Sequence, residues 1–199
     1  MERYGNRRTA ALVVFNSAEA ERRRRAAEER AAEEKKQRDY SLFYACENGF
    51  ADLVQTSLIQ GADINKRHEG LHRTPLYIAC QNGRVAAARL LLEKGAEVDR
   101  AQKDGATPLW IACQEGQVDA ARLLLDKGAD VNRANNQGTT PLDIAKSQGH
   151  LSIVALLGGQ LGLPLHVAAG TGDVDAMTQL LDGGAAVEGV APQAEEAGH

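Results

Sequence analysis

Five residues of this chain spell a known catalytic pattern. His68-Glu69-Gly70-Leu71-His72 matches H-E-x-x-H, in which two imidazoles on one helical face hold a zinc ion and the glutamate acts as general base. That chemistry requires a helix, since only the i, i+4 spacing aims both rings at one metal. Here Gly70 stands mid-motif, Pro75 follows closely, and the charged INKR precedes. No third ligand lies at a familiar spacing. The pattern reads as an exposed loop with two histidines, and a zinc-dependent hydrolase is the alternative that zinc analysis would test. His150, His166 and His199 lie far apart, and the GGQLG stretch after Leu157 lacks both the Lys-Ser/Thr and the preceding strand of a phosphate loop. The chain is expected to be no enzyme, with no catalytic residue, cofactor or metal site.

Cys46, Cys80 and Cys113 say more by their placement than by their number. They recur at offsets of 34 and 33. Equivalent positions in packed neighbouring helices lie ~8–10 Å apart, whereas a disulfide needs Cα atoms within ~7 Å. They are expected as small buried apolar residues rather than bridges or ligands.

That spacing belongs to a larger one. TPLYIACQNG begins at Thr74, TPLWIACQEG at Thr107 and TPLDIAKSQG at Thr140, a period of 33. A fixed period of this size marks stacked repeats, which present a long surface rather than a pocket. Each unit carries its own punctuation. Thr74, Thr107 and Thr140 can cap a helix, with Pro75, Pro108 and Pro141 at the first helical position. Gly83, Gly116 and Gly149 end that short helix. A second follows, VAAARLLLEK from Val85 and VDAARLLLDK from Val118, ended by Gly95 and Gly128. A short extended piece then turns at Asp104-Gly105 or Gln137-Gly138. No single unit can bury its Leu-rich face alone, and stacking solves that.

On these residues the chain resembles the ankyrin repeats, whose 33-residue unit opens its first helix with T-P-L-H-x-A. The resemblance implies an all-α repeat solenoid, a helix–turn–helix–β-hairpin stack over residues 40–189. Its units fall near 40–73, 74–106, 107–139, 140–162 and 163–189. The first, from Tyr40, lacks Thr-Pro, and Gly49 lies 34 residues before Gly83, the extra residue falling in KRHEGLHR. The last keeps Pro164-Leu165-His166 but starts only 23 residues after Thr140, so ten residues are missing. A continuous but distorted stack is expected there. His150 and His166 occupy positions that the family uses structurally.

Charge and composition bound the rest. The chain has 199 residues and a net charge of −4, with 4% aromatics. Residues 1–39 carry +3, which leaves −7 on the repeats, so these are not expected to hold nucleic acid. No stretch approaches a membrane span, and the apolar run AALVVF falls short of a secretory signal. Residues 1–15 are expected to be poorly ordered. Residues 16–39 form a charged Ala/Glu/Arg helix starting at Asn16, whose apolar residues are all Ala, so a two-stranded coiled-coil seam is poorly supported. Residues 190–199 read as a flexible tail. The chain is expected in the cytoplasm, with nuclear entry through Arg22–Arg25 and Lys35-Lys36 as the alternative.

Phe43, Tyr77, Trp110 and Asp143 occupy one position of successive units. Packing between units explains the aromatics, and a partly exposed ladder of interface anchors is the functional alternative. In ankyrin repeats, the resemblance implies, partners contact the hairpin tips and the outward face of the first helix. Carried onto this chain, that surface is Lys66, Arg67, Arg100, Lys103, Arg133 and Asn135 at the tips. On the first helices it is Tyr77, Gln81, Trp110, Gln114, Asp143 and Lys146. Lys66, Arg100 and Arg133 are equivalent, a row of three cations. The expected function is a protein–protein interaction module, adaptor or scaffold fragment, acting as a monomer on a partner with an acidic segment and with Trp110 as central anchor. A structural protein self-associating through its N-terminal helix is the alternative.

Overall fold

Helix starts and stops follow from the repeated Thr-Pro and Gly. The computed structural model describes residues 2–68, 70 and 72–161, the side chains of 2–17 excepted. Among the described residues eight helices run in order: α1 Glu2–Asn48, α2 Ala51–Ile59, α3 Pro75–Gln81, α4 Val85–Glu93, α5 Pro108–Gln114, α6 Val118–Asp126, α7 Pro141–Gln148 and α8 Leu151–Gln160. At α3, α5 and α7 the threonine hydroxyl accepts the N–H of Tyr77, Trp110 and Asp143, each at 3.2 Å. The proline beside it occupies a position whose N–H would have had no helical partner. Each short helix is followed by glycine in the left-handed region, with φ of 62° at Gly83, 72° at Gly116 and 74° at Gly149.

Stacking buries what single units cannot. The inner helices α1, α3, α5 and α7 pack side by side in chain order, and α2, α4, α6 and α8 form a second layer behind them. The outer helices turn alanines and leucines into that seam, Ala87, Ala88 and Leu91 from α4 and Ala120, Ala121 and Leu124 from α6. Alanine there lets helices approach closely while leucine fills the space between layers. Cys46, Cys80 and Cys113 are buried and free in the same core. Burial pushes the thiols of Cys46 and Cys113 up to about 12, and that of Cys80 further.

Two polar seams tie unit to unit. At the helix ends, the residue before each outer helix reaches back to a carbonyl of the preceding inner helix. Arg84 Nε donates to Glu47 O at 3.1 Å, Gln117 Nε2 to Gln81 O at 3.4 Å, and His150 Nε2 to Gln114 O at 3.0 Å. The His150 proton sits on Nε2, because a carbonyl can only accept. At the hairpin edge, side chains receive the backbone N–H of the next unit. Asn65 Oδ1 accepts from Glu97 N at 3.0 Å, and Asp99 from Asp130 N at 3.2 Å. Asp39, buried in α1, accepts from Asp63 N at 2.8 Å. It supplies for the first unit the acceptor that a preceding repeat would have supplied.

Two expectations are corrected. No boundary falls at Asn16 or Tyr40, and residues from Glu2 onward are helical instead of irregular: α1 is one helix of 47 residues that ends as the inner helix of the first unit. Between Asn6 and Asn48 the sequence holds neither Gly nor Pro, so nothing interrupts it. The side chains of residues 20–37 all stand in solvent, with Arg23–Glu19 and Arg24–Glu28 ion pairs at 2.7 and 3.1 Å. Second, the hairpins are closed as turns, and no strand forms among the described residues. Gln102 N donates to Ala106 O and Asn135 N to Thr139 O, both at 3.0 Å, around Gly105 and Gly138. Their arms are too short to pair further. The described part of GGQLG, Gly158 to Leu161, prolongs α8 and caps it. Residues 163–189 as a fifth unit, the tail 190–199, the ten-residue shortfall, and His166 and His199 lie outside the described residues.

Candidate interaction surface

The first chemical candidate loses its geometry. His68 and His72 sit on irregular backbone, His72 at a φ of 58° and Gly70 at 91°. The backbone turns back on itself there, His68 N donating to Arg73 O at 2.8 Å and His72 N to His68 O at 3.1 Å. The two imidazoles therefore do not share a helical face, while Glu69 and Leu71 lie outside the described residues. The His68 ring meets Phe43 edge-on at 5.0 Å between centroids. Among the described residues no group of three or more His, Cys, Asp or Glu gathers as a metal site would require.

The aromatic file is core. Tyr77 is 1% exposed and Trp110 8%. Trp110 Nε1 donates to Thr139 O at 3.0 Å, and the Arg73 guanidinium lies 5.7 Å from the Tyr77 ring centre. Burial raises the Tyr77 phenol well above its ordinary range. The reading of Tyr77 and Trp110 as surface anchors is thereby corrected: both rings are buried in the core, and the indole N–H is already bonded.

Two further residues of the expected surface hold the fold. Asn135 Oδ1 accepts the N–H of Gln137 and of Thr139, each at 3.0 Å, and shapes its turn. Asp143 Oδ2 accepts from Thr140 Oγ1 at 2.7 Å and Thr140 N at 3.0 Å, completing a reciprocal cap on α7. Those bonds hold its carboxyl below the usual carboxylate range. Gln81 accepts from Arg73 Nη1 at 3.4 Å, and Gln114 Nε2 donates to Glu115 Oε1 at 3.3 Å. Both amides are only partly buried.

The cations remain on the outside. Lys66, Arg67, Lys103, Arg133 and Lys146 are exposed, and Arg100 is half-buried with Nη1 2.6 Å from Glu97 Oε1. The expected row Lys66/Arg100/Arg133 shifts by one residue. Lys66 Nζ turns to Asp39 at 3.8 Å, leaving Arg67 to line one shallow depression of about 540 Å³ together with Arg100 and Arg133. The extra residue in the first loop and the carboxylate carried by α1 account for the shift. Glu97 and Asp99 share that depression, and burial raises the Asp99 carboxyl against the N–H of Asp130 and the charge of Arg133. Asp39 itself was invisible as a functional position in the sequence, where it closes a charged run. Arg84, Gln117 and His150 do carry a signal, since they recur at the repeat period.

Paired helices stacked in register, with a turn at each edge, define a helical repeat protein. The chain belongs to the ankyrin-repeat family: a family model described as ankyrin repeats (3 copies) matches residues 42–135 and 100–163. Ankyrin repeats are in general protein–protein interaction modules and typically non-catalytic. The chain is also similar to the 2-5A-dependent ribonuclease of Mus musculus, 43% identical over 68 residues, which is 34% of this chain and 9% of that protein. It thus spans only a small part of that relative's length. No helix among the described residues is long and apolar enough to cross a membrane.

Proposed function

We propose that this chain is an adaptor or scaffold module whose repeat edge receives an acidic segment of a partner protein. The observation that carries this reading is the convergence of Arg67, Arg100 and Arg133, from three successive turns, on one shallow depression. Guanidinium groups suit this role, because each offers a planar fork that bonds a carboxylate at two points. Lys103 and Lys146 extend the positive character along the edge and onto α7. Glu97 and Asp99 in the same depression favour a partner of mixed charge over a uniformly anionic polymer.

The test is affinity purification with the full chain, beside an Arg100→Glu/Arg133→Glu variant. Loss of a defined partner, with binding weakened by added salt in the unaltered chain, is the expected result. Equal recovery by both would overturn the reading. Sedimentation of the full chain separates it from self-association through α1, which predicts a concentration-dependent dimer lost on removing residues 1–37. The cut stops short of Asp39 because that residue supports the first turn.

A further inference from the structure

The first unit keeps large apolar side chains in solvent. Tyr40 is 60% exposed and Tyr44 48%, whereas Tyr77, at the position equivalent to Phe43, is 1% exposed. In later units the place of Tyr40 belongs to the capping threonines 74, 107 and 140, because those helices begin there. The first α1 passes straight through, so an aromatic can stand at this point. Tyr40, Phe43, Tyr44 and Glu47 follow the spacing of one helical face.

Two hollows of about 540 and 570 Å³ adjoin that face and share Tyr40, Phe43 and His68 in their walls. One crosses to Ile78 and Gln81 of α3. The other climbs α1 to Lys35 and Lys36 and is faced by Lys66 and Arg67 of the first loop. Together they make a groove with Tyr40, Phe43 and His68 in its shared wall, a mixed foot where Tyr44 and Ile78 stand beside Glu47, Arg73, Gln81 and Asn82, and cations on both sides higher up. Its carboxylates are Glu33, Glu47 and Asp39, the last buried beneath Lys66.

We infer that this groove is a second docking site, for an acidic protein segment bearing one large apolar side chain. The apolar group seats on Tyr40 and Tyr44, and the carboxylates meet Lys35, Lys36 and Arg67. The inference rests on the reading of the chain as a protein-binding module but uses different residues from the tip row, Arg67 aside. Its upper wall, residues 32–40, precedes the part of the chain matched to the family, whereas Phe43, Tyr44, Lys66 and Arg67 belong to the first repeat, so the site joins this chain's own helix to the repeat stack. Glu33 and Glu47 among the cations favour a peptide, whose charges can be spaced to avoid them, over a nucleic acid. A phosphate backbone would bring one charge per nucleotide against a groove that also presents Glu33 and Glu47.

The test is fluorescence anisotropy on the full chain with a labelled synthetic peptide of about twelve residues, rich in Glu and carrying a single Leu. Two control peptides replace Glu by Gln or Leu by Ala, and a single-stranded RNA of similar length serves as competitor. Both the Lys35→Glu/Lys36→Glu and the Tyr40→Ser/Tyr44→Ser variants are expected to weaken the acidic peptide about tenfold or more, with Arg100→Glu/Arg133→Glu within about twofold of the unaltered chain. All four altered groove positions are exposed, and circular dichroism verifies that the helices persist. Absence of binding, equal binding of either control peptide, or loss confined to the tip variant would overturn the groove. That last result would leave the tip reading standing. Tighter binding of the RNA would reassign the groove to nucleic acid. A dimer abolished by Tyr40→Ser/Tyr44→Ser would reassign it to a second copy of the chain.

Discussion

Gly116→Ala probes how strongly one unit leans on the next. Gly116 holds a φ of 72°, and a Cβ placed there would stand 2.8 Å from Cε1 of His150. An L-residue in the left-handed region costs about 1–2 kcal/mol from backbone sterics alone. Displacing His150 also breaks its bond to Gln114 O at 3.0 Å, which adds roughly 0.5–1.5 kcal/mol. The expected loss is therefore about 1.5–3.5 kcal/mol. Gly95 provides the control, since its φ of 92° is similar and no atom lies within 4 Å of its would-be Cβ. Gly95→Ala should cost only the backbone part, about 1–2 kcal/mol. Urea denaturation followed by circular dichroism and by the emission of Trp110, the single tryptophan, measures both. In a His150→Ala background the cost of Gly116→Ala should fall to that of Gly95→Ala. Equal losses for the two single variants, or no coupling in the double-variant cycle, would refute the seam.

The buried thiols should resist an aromatic disulfide reagent at pH 8 in the folded chain and all three react in denaturant. Burial raises these acids above their ordinary value of 9.0, so stability is unaffected below that pH. As pH rises beyond it, the unfolded chain releases protons that the folded one keeps, so stability falls from about pH 9 upward; a flat profile to pH 11 in urea titrations would contradict the sign. Trp110→Phe should lose about 1 kcal/mol by freeing Thr139 O of its indole donor, and acrylamide should quench native Trp110 emission poorly. Asp39→Ala removes the acceptor for Asp63 N, so a loss of about 1–3 kcal/mol in urea is expected, with faster amide exchange at Asp63; unchanged exchange there would argue against its role as the first rung.

Much of the fold was legible because each unit repeats its own stop and start signals. Thr74, Thr107 and Thr140 cap where capping chemistry places them, and the glycines after each helix take the positive φ expected of them. The cysteine register gave the core correctly. The N-terminal helix was harder, since Asn16 looks like a cap in isolation and only the lack of any breaker up to Asn48 lets the helix run on. Local signals also fail to measure burial. Tyr and Trp suit an interface and a core equally, and the packing of α3, α5 and α7 decided for the core. The cation row was readable by register, except where one extra loop residue sent Lys66 to Asp39 and brought Arg67 into line.

The two polar seams have a mechanical meaning. Each rung joins adjacent units, so a pull on the two ends loads the rungs in series, and the weakest fails first while the others hold. Such a stack should lengthen in steps instead of yielding at once. One repeat of 33 residues releases about 110 Å of extended chain. Placed between two anchored partners, this chain would behave as a stepwise extensible tether whose terminal rung is set by Asp39.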